Sequence, residues 1–151
     1  MENYVIIQEN NFESAKKEIK KNLGKKIVFV SNNDELNRKI LEKQKIDILL
    51  LNQAERKDFL KQRNSGFNHI LAKLAKKNKT TVGINLDEII NSTGKNKSEI
   101  LARIKQNIKF CNKNKLDMKF IAVKKENKRN LYDLKSLGLV LGMPTGITKN
   151  L

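Results

Sequence analysis

The chain has 151 residues, with 32 Lys+Arg against 16 Asp+Glu and a formal charge of +16, a length that suits one domain. A single Cys excludes a disulfide framework or zinc ribbon, and a single His excludes a multi-His metal site. No run of apolar residues is long enough for a membrane span, and MENYVIIQEN lacks the basic and apolar regions of a secretory signal, so a cytoplasmic protein is expected.

Short apolar runs alternate with helical periodicity, which predicts βα units and a parallel sheet. Tyr4–Gln8 reads as the first strand and Phe12–Asn22 as a helix stopped by Gly24. Lys26–Val30 is the second strand, and Asn32 with Glu35 predicts a capping box for the helix that follows. Ile46–Leu51 is a third strand, apolar on both faces as a buried parallel strand should be. The charged stretch Asn52–Asn64 is expected to hold a short helix, and Phe67–Lys77 a longer one. Thr80–Ile84 is the fourth strand, and Ser92–Lys97 reads as a loop. Asn96 and Glu99 suggest another capping box ahead of the stripe Ile100, Leu101, Ile104, Ile108 and Cys111. Lys119–Val123 is the fifth strand, Lys124–Asn130 a basic loop, Leu131–Leu137 a short helix and Leu139–Leu141 a last strand.

Catalytic constellations are scarce. The glycines match neither a dinucleotide-binding nor a Walker pattern, and Gly94-Lys95 reads as a solvated turn. His69 lies near a helix N-terminus and is read as structural, and Cys111 as a small core residue. Asp47 is read as structural and Asp133 as a helix-dipole partner. Asp87-Glu88 is the one plausible Mg²⁺ pair, equally readable as the acidic first turn of a helix.

The charge is uneven: residues 1–60 carry a net +2 and residues 61–151 a net +14. Such an excess attracts phosphate polyanions. No myristoylation start or prenylation motif is present, so nucleic acid is preferred to a membrane. Lys outnumbers Arg 27 to 5 and aromatics are 5%, which favours backbone and shape recognition of folded RNA over base reading or base stacking. The candidate RNA-binding residues are Lys124, Lys125, Lys128 and Arg129 first, then Lys61 and Arg63, then Lys95 and Lys97.

Several segments together resemble a known family. Asn37-Arg38-x-x-Leu41-Glu42 followed by Ile46–Leu49, Arg63–Ala75 with Gly66, Asn68 and His69, Thr81–Leu86 with Ile89-Ile90, Asn107–Cys111 and Leu137–Met143 are similar to archaeal ribonuclease P protein component 3. The agreement runs over residues 37–143, about seventy per cent of the chain. The turn after the fifth strand departs from the family pattern, reading Ala122-Val123-Lys124-Lys125-Glu126, and Arg129–Leu134 keeps Arg, Asp and Leu but loses a Pro.

What the resemblance implies is a TIM-barrel-like α/β fold without an active site. The family is longer at both ends, so the expectation is a single domain forming a shortened or partial barrel of about six parallel strands, with edges for a partner to cover. It also implies a protein subunit of the ribozyme that removes 5′ leaders from precursor tRNA. The partners would be ribonuclease P RNA, precursor tRNA, a small RRM-like ribonuclease P protein and other ribonuclease P proteins, with Mg²⁺ bound by the RNA and no cofactor on the chain. The alternatives are a small barrel-type metal-dependent hydrolase using Asp87 and Glu88, and a general Lys-rich RNA-binding protein.

Overall fold

A computed structural model describes residues 3–149 and 151. Its elements run β1 (Tyr4–Gln8), α1 (Phe12–Lys21), β2 (Lys26–Val30), α2 (Asp34–Lys43), β3 (Ile48–Leu51), α3 (His69–Lys77), β4 (Thr81–Asn85), α4 (Leu86–Asn91), α5 (Gly94–Lys113) and β5 (Met118–Ile121). A 3₁₀ turn at Lys125–Asn127, α6 (Leu131–Leu141) and α7 (Thr145–Thr148) complete it. The five strands are parallel and lie in sequence order across one sheet. No helix of the described residues is long and apolar enough to cross a membrane.

The strands bury both faces, for two different reasons. One face (Ile7, Phe29, Leu49, Leu51, Val82, Met118) packs against the helices through Ala15, Ile19, Ile40, Leu71 and Ile104. The other face buries Val28, Val30, Ile48, Leu50 and Ile121 without any helix residue, packed with Tyr4. A flat five-stranded sheet would hold β1 and β5 about 19 Å apart. Here Lys119 Nζ of β5 donates to Tyr4 Oη of β1 at 3.1 Å. The sheet is therefore rolled into a partial barrel, its curvature burying the middle of its inner face. Gly83 permits this crowding: a Cβ there would stand 2.8 Å from Ile48 Cγ2 and 3.2 Å from the Leu50 Cα.

The architecture agrees with the expected partial barrel, but several boundaries differ. The predicted sixth strand, Leu139–Leu141, is the last turn of α6, which ends at Gly142 with φ +107. An all-apolar run carries no period to separate helix from strand, and here Leu139 and Val140 face outward, 48% and 76% exposed. The α2 cap is Asn33, whose Oδ1 accepts from the Glu35 and Leu36 amides; Asn32 instead accepts from Asn52 Nδ2. The predicted loop at 92–97 is cut short, because α5 begins at Gly94 behind Thr93, which makes no side-chain cap bond. Asn96 and Glu99 therefore sit inside the helix. The segment 52–64 contains no helix.

Candidate nucleic-acid interface

The segments that follow β3, β4 and β5 hold all eight candidate RNA-binding residues, Lys95 and Lys97 among them within α5. The loop conformations follow from two acids and two arginines, Arg103 buried and Arg56 half-buried. Asp87 and Glu88 lie in the first turn of α4, which Asn85 caps. Asp87 Oδ2 accepts from the Val123 and Lys124 amides at 2.9 and 3.2 Å, and Oδ1 accepts from Asn127 Nδ2 at 2.9 Å. Glu88 Oε1 and Oε2 accept from the Gln53 and Ala54 amides at 2.6 and 2.9 Å. One acid thus latches the loop after β5 and its neighbour the loop after β3. All four carboxylate oxygens are engaged by loop N–H groups, so the geometry is that of a latch and not of an open cation pair. The described residues contain no group of three or more His, Cys, Asp or Glu placed to hold a metal.

Arg103 of α5 is 3% exposed and donates to three partners: Asp58 Oδ1 at 2.9 Å, the Gln53 carbonyl at 3.0 Å and the Arg56 carbonyl at 2.7 Å. Arg56 in turn donates to the Asn52 carbonyl at 2.6 Å and forms a two-pronged pair with Asp34 at 2.9 and 3.0 Å. These guanidinium groups take the carbonyls of Asn52, Gln53 and Arg56 that a helix over 52–64 would have needed internally, which explains why the segment stays irregular. The hydrogen bond from Arg103 holds the Asp58 carboxyl below the usual range, against the opposing effect of its burial.

Of the predicted residues, Lys61 is exposed, and Arg63 is exposed and donates to Asp58 Oδ2 at 3.0 Å. Gly66 has φ +72, and a Cβ there would stand 2.4 Å from Arg56 Nη2. A side chain there would be strained by the left-handed φ and would push the Arg56 guanidinium from its place against Asp34. Asn68 caps α3 by accepting from the Leu71 amide at 2.9 Å, and His69 is the first, exposed residue of that helix. Lys95 and Lys97 fall in the first turn of α5, with Lys95 Nζ 4.0 Å from Glu99.

Lys124, Lys125, Lys128 and Arg129 are exposed on the connection from β5 to α6. They do not converge on one pocket. Lys124 borders a cleft of about 640 Å³ with Glu88, Asn96 and Arg103, whereas Lys128 and Arg129 border one of about 710 Å³ between β1 and β5. Arg63 faces a third depression beside Asp34 and Arg38. Sequence reasoning missed Arg56 and Arg103. The available signal was the position of Arg103 between Ile100 and Ile104 on the apolar stripe of its helix.

Residues 5–151 match the family model described as RNase P subunit p30. The chain belongs to the RNase P p30 family. Ribonuclease P protein component 3 of Methanococcus maripaludis strain C6 is 32% identical over 111 residues, which is 72% of this chain and 45% of that protein. The protein of the same name from strain C5 is 27% identical across 93% of this chain and 56% of its own length. That from Methanocaldococcus jannaschii is 30% identical across 67% and 42%. This chain thus spans about half the length of these p30 relatives. A chain from the cryo-EM structure of an archaeal ribonuclease P with mature tRNA shares the fold, with TM-score 0.77 over 97% of this chain and 62% of that one, at 23% identity.

Proposed function

We propose that this p30-family chain is a non-catalytic protein subunit of ribonuclease P that binds and activates the catalytic RNA for removal of 5′ leaders from precursor tRNA. The observation that carries the reading is the family match over residues 5–151. It is supported by the +16 charge and by the engagement of every Asp87 and Glu88 oxygen in loop hydrogen bonds, which disfavours the metal-dependent hydrolase.

In this reading, cations neutralise ribozyme phosphates and so lower the repulsion that opposes the active RNA fold. RNA-bound Mg²⁺ ions supply the chemistry. The partners are the ribonuclease P RNA, precursor tRNA, the small RRM-like subunit and the other ribonuclease P proteins, in the cytoplasm. Lys124, Lys125, Lys128 and Arg129 are the first proposed contacts, then Lys61, Arg63, Lys95 and Lys97. Removing one phosphate-contacting cation flattens the log–log salt dependence of RNA binding by about 0.7–0.9.

The test is cleavage of precursor tRNA by ribonuclease P RNA reconstituted with its other proteins, with and without this chain. Cleavage extended to lower Mg²⁺ is expected. No stimulation, with unrelated RNAs bound as tightly as the ribozyme, would replace the subunit with a general RNA binder.

A further inference from the structure

Charge is distributed differently over the two ends of the sheet. The C-terminal end, counted from each strand through the first turn of the next helix (9–15, 31–37, 52–72, 85–97 and 122–134), carries ten Lys or Arg and ten Asp or Glu. The N-terminal end, counted from the last turn of each helix to the next strand, carries eleven Lys and four acids. Segment 18–26 contributes Lys20, Lys21, Lys25 and Lys26, and segment 40–47 contributes Lys43 and Lys45. Segment 74–80 adds Lys76, Lys77 and Lys79, and segment 110–117 adds Lys113 and Lys115. All eleven are exposed. Of the acids, Glu18 pairs with Lys21, Glu42 pairs with Arg38, and Asp47 Oδ2 accepts from the Ile27 amide.

The four segments form one surface. The Asp47 amide donates to the Ile27 carbonyl, the Thr81 amide to the Asp47 carbonyl and the Val82 amide to the Asp117 carbonyl. Asn78 Nδ2 donates to the Leu41 carbonyl and Lys76 Nζ to the Lys115 carbonyl. These bonds join the loops entering β2, β3, β4 and β5 side by side, across three spacings of about 4.8 Å.

Lysines at helix C-termini have an ordinary explanation in the helix dipole, which covers Lys20, Lys21, Lys43, Lys76, Lys77 and Lys113. It covers Lys45, Lys79 and Lys115 in part, each one residue past a C-cap, and does not cover Lys25 and Lys26, three and four residues past the Asn22 cap. Nor does a uniform lysine bias explain a neutral end opposite a strongly positive one. Lys79 and Lys115 each adopt φ +54, the left-handed region where glycine would be cheaper. Both loops accept that strain and present a cation.

We propose that the N-terminal end of the sheet is a docking face for the phosphate backbone of folded RNA, distinct from the loops after β3, β4 and β5. Lys25, Lys45, Lys79 and Lys115 are its core. The chemistry is backbone reading: point charges on flexible stems, without Arg forks, neutralise phosphates and read no base edge. This inference rests on the RNA-binding reading above and adds a second contact surface to the cations already proposed.

The test is the salt dependence of binding to a ribonuclease P RNA transcript, compared between wild type and the fourfold variant Lys25→Gln, Lys45→Gln, Lys79→Gly, Lys115→Gly. The glycines relieve positive-φ strain, so the variant should melt no lower than wild type within a few degrees. The expected result is a slope shallower by about 3, at roughly 0.7–0.9 per lost phosphate contact, together with RNA protection of these four lysines from acetylation in the wild type. A slope unchanged within about 0.5 overturns the proposal. So does acetylation protection by phosphatidylserine vesicles but not by RNA, which would assign the face to a membrane surface. If the wild type fails to stimulate cleavage while the slope falls as stated, the subunit reading fails and the RNA face stands. If stimulation occurs with an unchanged slope, the face alone fails.

Discussion

Replacing Arg103 by Met tests how the loop after β3 is held. Met keeps the bulk of the stem but removes the donors to Asp58 Oδ1 and to the Gln53 and Arg56 carbonyls. An orphaned buried carbonyl costs roughly 1–1.5 kcal/mol. Asp58 is 26% exposed and keeps the Asn64 amide and Arg63 as partners, so water and these groups cut its loss to about 0.5 kcal/mol. The sum is about 3 kcal/mol, or roughly 6–12 °C in Tm for a domain of this size. The pH dependence gives a second readout. Because Arg103 holds the Asp58 carboxyl below its unfolded value, this pair stabilises the fold at pH above that value, about 3.9. The contribution is lost as pH falls through the folded value. Arg103→Met should therefore flatten the acid limb of stability as well as lower Tm, both measured by circular dichroism melts between pH 3 and 7. A Tm loss under about 2 °C, or an acid limb as steep as that of wild type, would show that the loop is held by something else.

Three further outcomes follow from named contacts. Gly66→Ala places a Cβ against the Arg56 guanidinium at a left-handed φ and should cost about 1–3 kcal/mol in urea unfolding; a change within about 0.5 would mean the loop adapts freely. Asp87→Asn weakens the anchoring of the Val123 and Lys124 amides, costing about 1–2 kcal/mol, and should speed hydrogen exchange at those residues while leaving Ile84 protected. Equal exchange would remove the latch. The Cys111 thiol is buried and pushed up to about 12, so at pH 8 it should react with a disulfide reagent on the order of a hundredfold more slowly in the folded protein than in urea; equal rates would show that the α5 stripe opens readily.

The strands were legible where burial on both faces writes an unbroken apolar run. β1 and β2 match their predicted bounds, and β3 is buried at all four positions. The helix read from Phe67 begins at His69, because Asn68 within the motif caps it by accepting from the Leu71 amide. Leu139–Leu141 misled because three consecutive apolar residues read alike in either period, and only the Asn130 and Gly142 caps settle the matter.

The sequence by itself determined the βα alternation, the net positive charge, the poverty of catalytic groups and the family. These depend on composition and on residues a few positions apart. Tertiary structure alone decided that Asp87 and Glu88 are latches, because their partners lie 34–40 residues away. It also decided that Arg103 is a staple, whose partners lie 45–50 residues away. The charge pattern shows the same division. Along the chain the positive excess falls in the C-terminal part, yet between the two ends of the sheet it is the N-terminal end that carries a net +7 and the C-terminal end that carries none. In a parallel βα sheet, successive loops go to opposite ends, so lysines scattered over a hundred positions gather on one face, while the linear clusters are split between both.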